Sequence, residues 1–329
     1  MTKLYSQEIY LLERYSSASY FRDLRDTWGA MVEHVEKALD SFMHDLPADY
    51  RNRQLPEQPD VAWGEQVLPN FRTTYKGLCD GVALLINNDF SGLSYCNGPL
   101  NDFIGQREFW SGWMSETDRQ EYARLLLASN LLATNISTTE KSYWKPGDLF
   151  PNFNEKSFGP CDLPSLMPNY RINRSITVSS GSPITVAGIY LPNIENSCAE
   201  FINIGYGKAP DALVYIRDDV LLHPTTKVPY ASQKIYETTS CVWTLVERDK
   251  TIVSMPKLVP EVSIRVPGGE LCPKAGYYFS PAKSDFSAPP KAPSAAALQD
   301  LLMQQSSNSI PSKAIAAANL QQQKPAYKC

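Results

Sequence analysis

FRDLRDTWGAMVEHVEKALDSFMHDL, residues 21–46, places apolar side chains at Phe21, Leu24, Trp28, Met31, Val35, Leu39, Phe42 and Leu46. The intervals are three and four, so one side of an α-helix collects all eight; a strand would need a period of two. At about 1.5 Å per residue the helix is roughly 40 Å long. Ser19 is a candidate N-cap, Pro47 lies past the far end, and Gly29 interrupts an otherwise favourable run. A helix of this length with a single apolar stripe needs partners, and they lie downstream. The same spacing returns at Val67, Phe71, Tyr75, Leu78, Val82 and Leu85, with Asp60 as a candidate cap and Asn87-Asn88-Asp89 as a stop. Ser115-x-x-Asp118 resembles a capping box ahead of Tyr122, Leu125, Leu126, Ser129, Leu132 and Ile136. Residues 91–113 are mixed and aromatic and carry no clear period. Residues 1–140 are therefore expected to form a helical bundle.

The composition changes after Ile136. Residues 137–174 hold Pro146, Pro151, Pro160, Pro164 and Pro168 without periodicity, and 141–174 is expected to be a connecting loop. From Ser175 the pattern is β: Ile184–Leu191, Ala199–Ile204, Ala212–Arg217, Ile235–Thr239, Val242–Glu247, Glu261–Val266 and Gly276–Ser280, bounded by Pro, Asn and Gly. Val242–Glu247 is apolar on both faces. With no long helix between them, these runs predict an antiparallel sheet or small barrel over 175–283. Residues 284–329, rich in Ala, Pro, Ser and Gln, lack the apolar content to fold alone and read as a disordered low-complexity tail. The expected fold class is α+β: an N-terminal helical bundle, a small antiparallel β-rich domain and a disordered C-terminal tail. A length of 329 residues fits more than one domain.

Composition excludes more than it selects. Lys and Arg total 31 against 35 Asp and Glu, a net charge of −4, so no basic footprint for nucleic acid exists. No run approaches the roughly 18 apolar residues of a membrane span. Glu8 and Glu13 interrupt any apolar core near the N-terminus that a signal peptide would need. Seven scattered cysteines without a C-x-x-C pair read as reduced thiols, and together these features point to the cytoplasm. There is no phosphate-binding loop and no nucleophile elbow. Gly205-Tyr-Gly207-Lys-Ala-Pro210 lacks the third glycine of a dinucleotide fingerprint and reads as a hairpin loop.

Histidine is scarce. His34 and His44 are ten residues apart and share no face as metal ligands would. Asp218 and Asp219 lie near His223, and the three could bind a metal or form a dyad; a β-turn followed by a Pro-stiffened loop explains them equally. No catalytic residue, cofactor site or metal site is assigned, and the chain is not expected to be an enzyme. The connecting loop, by contrast, holds Tyr143, Trp144, Phe150, Phe153, Phe158 and Tyr170 among prolines. They either staple the loop over the joint between the two halves or form a partner-binding surface, since aromatic residues dominate interface hot spots. Tyr143, Trp144, Phe150, Phe153 and Phe158, with Asp148, Asp218 and Asp219 as acidic companions, are the candidate partner-binding residues. Glu155 and Asp162 would add to a polar rim.

Near the end of the β-rich region, Cys272-Pro273-x-x-Gly276-Tyr-Tyr-Phe-Ser280-Pro281-Ala282 resembles a C-terminal signature of bacterial polymorphic-toxin immunity proteins, commonly encoded beside type VI secretion effectors of the Rhs type. The order of a helical half and then a β-rich half is similar too. The resemblance implies a cytoplasmic, non-catalytic toxin inhibitor. It would bind a cognate toxin domain in a 1:1 complex and occlude its active site, with no nucleic acid, membrane or cofactor involved. The toxin would be ADP-ribosyltransferase-like or otherwise NAD-consuming, or else a nuclease. An effector-loading chaperone or adaptor scaffold is the alternative, and an enzyme using Asp218, Asp219 and His223 ranks below both.

Overall fold

A computed structural model describes residues 3–223, 225 and 229–249. The fold is α+β, with helices first and antiparallel strands after them. Helix α1 (Ser6–Tyr15) turns directly into α2 (Ala18–His44), the helix expected from the stripe at 21–46. Its cap is Ser17, not Ser19: the Ser17 Oγ accepts the Tyr20 N–H at 3.2 Å. A π-helical segment, Asp60–Val67, runs into α3 (Leu68–Ile86), where Pro69 stands in the first turn. The unperiodic region resolves into short turns, Phe90–Cys96 and Gln106–Glu108, around α4 (Asn97–Gly105). Helix α5 (Glu116–Glu140) starts at the expected cap, where the Ser115 Oγ accepts the Asp118 N–H at 3.1 Å and donates to the Asp118 carboxylate at 2.6 Å. Among the described residues no helix is long and apolar enough to cross a membrane.

Helix α2 packs between α3 and α5. The Trp28 indole is fully buried, meets the Phe71 ring edge-on at 5.1 Å, and donates its N–H to the Phe71 carbonyl at 3.0 Å. His34 is structural: its Nε2 lies 2.9 Å from the Asp118 carbonyl and ties α2 to the start of α5. Gly81 on α3 and Gly92 in the following turn allow a backbone contact. A Cβ on Gly92 would sit 2.5 Å from the Gly81 carbonyl oxygen, so no side chain fits there.

The strands are β1 (Asn169–Ser179), β2 (Gly188–Pro192), β3 (Glu200–Ile202), β4 (Ala212–Leu222), β5 (Pro229–Thr239) and β6 (Val242–Asp249). They make an open four-stranded antiparallel sheet in the order β1-β6-β2-β3 and a separate ribbon of β4 and β5. Strand β6 is central because it is apolar on both faces: Trp243, Thr244, Leu245 and Val246 are all buried. Trp243 lies opposite Val178 on one side and Pro192 on the other. With Ile184, Tyr190, Ile202 and Leu245 it forms the sheet's core. The expected strands at Glu261–Val266 and Gly276–Ser280, the Cys272 motif and the tail at 284–329 lie outside the described residues.

Residues 141–168 are a packed strap and not a free connection. The Trp144 side chain, 1% exposed, stacks on Tyr15 at 5.8 Å, meets Phe158 edge-on at 5.1 Å, and donates its indole N–H to Thr139 Oγ1 at 3.0 Å. Gln7 donates to the Leu149 carbonyl, Arg14 to the Cys161 carbonyl, and Ser142 to the Phe201 carbonyl, at 2.8, 3.0 and 2.7 Å. Asn135 reaches the Phe158 carbonyl at 2.7 Å through its Nδ2. These contacts join helices, strap and sheet into one compact unit. Replacing Trp144 with Ala removes a buried indole and its hydrogen bond to Thr139 Oγ1, which keeps only its own bond to the Asn135 carbonyl. The expected loss is about 3–5 kcal/mol, read as a lower urea midpoint with an unchanged slope.

Candidate functional site

The strap has an inner and an outer side, and chemistry gathers on both. On the inner side, Glu8 of α1 and Glu200 of β3 are buried close enough for their charges to interact. Cys198 lies between strap and sheet; its thiol donates to the Trp144 carbonyl at 3.3 Å and sits 3.9 Å from Glu200 Oε1. One carboxylate oxygen of Glu8 and one of Glu200 have no hydrogen-bond partner. Burial pushes the Glu8 carboxyl up to about 8, against a smaller downward pull from the Ala199 backbone. Burial raises Glu200 well above the usual carboxylate range, and the neighbouring Glu8 adds to it. Burial also raises the Cys198 thiol, so this cysteine is no ready nucleophile. A buried acid without a cation is held neutral, because charge is what the apolar surroundings penalise.

On the outer side, Lys145 and Asp148 of the strap face Gln233, Lys234, Ile235 and Tyr236 of β5 across a cleft of about 590 Å³. The Lys145 ammonium stands 5.8 Å over the Tyr236 ring, and the Tyr236 ring meets Tyr215 edge-on at 6.0 Å. Burial raises the Asp148 carboxyl, opposed by the charges of Lys145 and Lys234.

The residues expected from sequence scatter across these surfaces. Tyr143 is 60% exposed. Trp144 is core, which corrects its place among surface anchors: the indole is spent on Tyr15, Phe158 and Thr139. Phe150 is half-buried against Tyr5 at 4.7 Å, and Phe153 and Phe158 are half-buried against each other at 5.7 Å. Asp148 is the one acidic strap candidate that lines the cleft. Asp218 and Asp219 lie within β4 and not in a turn, exposed and opposite Lys234 and Gln233. Adjacent strand residues point to opposite faces. His223 lies four and five residues on, roughly 13–16 Å at strand rise, so the three form no dyad. Its Nδ1 accepts the Thr225 N–H at 3.3 Å. Among the described residues no group of three or more His, Cys, Asp or Glu could hold a metal ion. The five described cysteines are free thiols.

Sequence reasoning missed Lys145, Gln233, Lys234, Ile235 and Tyr236, because only the fold carries the strap to β5. It also missed Glu8 and Glu200, which look like surface residues until α1 docks on β3. No family model, curated protein or solved structure matches this chain.

The acid pair sets a pH dependence. In the unfolded chain Glu8 titrates near 4.5; in the folded protein it titrates near 8. Its raised value makes the folded state most favoured below the unfolded pKa. The Glu8 contribution then falls as pH rises from about 4.5 to about 8 and is spent above that. At 1.36 kcal/mol per unit the loss is on the order of 5 kcal/mol for Glu8 alone. Urea midpoints should therefore be higher at pH 5 than at pH 8. Glu8→Gln should flatten that slope and stabilise the protein at pH 8; an unchanged slope would refute the assignment.

Proposed function

We propose that the chain is a non-catalytic protein-binding module, the cytoplasmic immunity partner of a secreted toxin domain. The observation that carries the binding reading is the β4–β5 ribbon. It shares no backbone ladder with the four-stranded sheet, and Ile216 and Val220 on β4 are 44% and 55% exposed. An isolated two-stranded ribbon is marginal in water, and unpaired strand edges are natural docking sites for another chain. Exposed Tyr143 adds an aromatic group of the type enriched at interface hot spots. The toxin reading rests on the likeness of the Cys272–Ala282 motif to immunity proteins.

In this reading the protein covers the active site of its toxin in a 1:1 complex. The net charge of −4 suits a basic cleft of the kind that binds NAD or nucleic acid. An NAD-consuming toxin is the first expectation and a nuclease the second. Co-expression with the toxin encoded in the adjacent gene tests it. Growth rescue and a stable complex are expected, and their failure would sink the reading. Binding outside the toxin's catalytic domain would instead indicate a loading chaperone or adaptor. Paired replacement Ile216→Ser and Val220→Ser should weaken the complex at least tenfold, about 1.4 kcal/mol or more, with the thermal midpoint little changed.

A further inference from the structure

Gln233, Lys234, Ile235 and Tyr236 are consecutive, yet all four line the cleft that Lys145 and Asp148 close from the other side. Side chains alternate between the faces of a strand. A cleft that touches four in a row therefore opens on the strand's edge and not on one face. That edge is free. On its inner side β5 pairs with β4 from Ala212 opposite Thr239 to Leu222 opposite Pro229. On its outer side no backbone N–H or C=O of residues 229–239 bonds another backbone group among the described residues. The slot is thus bounded by unpaired strand backbone and by the turn at 145–148, with about 590 Å³ between them.

The charges in the slot decide what fits. Lys145 and Lys234 are exposed, and neither forms a salt bridge within the described residues. Asp148, the only acidic residue lining the cleft, is mostly withdrawn from solvent. Two cations beside a free strand edge suit an extended segment with an acidic side chain: its backbone would complete the ladder, and its carboxylate would lie between the ammonium groups.

We propose that this slot takes an extended acidic segment of a protein partner as a third strand on β5, with a carboxylate held between Lys145 and Lys234. The proposal rests on the protein-binding reading and names the chemistry of the contact. The chain's own tail suits the slot poorly, since residues 284–329 carry four lysines against two aspartates.

The test uses the full chain, isotope-labelled, and a capped hexapeptide alternating valine and glutamate, with a valine–lysine peptide as counterpart. The glutamate peptide should shift the amides of 145–148 and 233–236 and bind at least tenfold more tightly than the lysine peptide. Lys145→Glu with Lys234→Glu, both at exposed positions, should reverse that preference. Absence of binding, equal affinity for the two peptides, or shifts centred elsewhere would overturn the proposal. So would a peptide of residues 284–329 that displaces the glutamate peptide at lower concentration, because the tail would then be the occupant. The toxin assay separates the two readings. Full growth rescue by the charge-reversed protein leaves the immunity reading standing and removes the slot. Peptide binding without rescue by the native chain does the opposite.

Discussion

The indole of Trp144 occupies the corner where α1, the end of α5 and the sheet meet. Tyr15 covers one of its faces, the Phe158 edge closes another side, and Thr139 accepts its only polar hydrogen. Burying such a side chain removes on the order of 200 Å² of mostly apolar surface from water. That burial fixes the strap, and the strap fixes everything attached to it. Its carbonyls at Leu149, Phe158 and Cys161 are then in reach of Gln7, Asn135 and Arg14, and its outer turn is carried to β5. Helices and sheet share a core because this one segment is apolar inward and polar outward.

The same corner contains its own instability. Glu8 and Glu200 approach each other beneath the strap with oxygens that nothing satisfies. Apolar replacements of similar volume would stabilise such a site more readily than charged ones. The acids leave the joint between α1 and β3 sensitive to proton concentration, while Trp28 and Trp243, buried elsewhere, are not. Chemistry and mechanics therefore coincide in the strap: Trp144 and Leu149 point into the core, and Lys145 and Asp148 face the ribbon.

The long helices and the central strand were legible because each carries a strong period. The stripe at 21–46 became α2, the box at Ser115 became the start of α5, and the two-faced apolar run at Val242 became the sheet's centre. The first six residues of β1, 169–174, fell inside the expected loop, because the prolines upstream of them and the interruption at Arg174 masked a strand that runs on past Ser175. Tyr170, Ile172, Ile176 and Val178 do alternate with Asn169, Arg171, Ser175 and Thr177, but Arg174 breaks the period in the middle; on the polar face the Arg171 and Asn173 side chains reach Glu247. The cleft was invisible for a different reason. Lys145 and Lys234 are ordinary surface lysines in sequence, separated by most of the β half, and no local spacing relates them. Asp218 and Asp219 looked like a turn because adjacent acids are rare in strands; β4 tolerates them because residues 216–220 are exposed on both faces, unlike the buried Ala212 and Val214 at its start.

The order of the sheet has a consequence for how the protein is made. The chain emerges from the ribosome N-terminus first, and the helices contain enough local contacts to form early. Strand β6 comes last of the six, yet it lies between β1 and β2 and supplies the partner that each of them needs. Until residue 249 has been synthesised, β1 has no neighbour, and the inward side chains of β2 and β3 are only half covered. The nascent protein therefore passes through an interval in which its helical half is finished and its sheet is an open gap. A single late segment, inserted between two waiting strands, completes the sheet of the described residues.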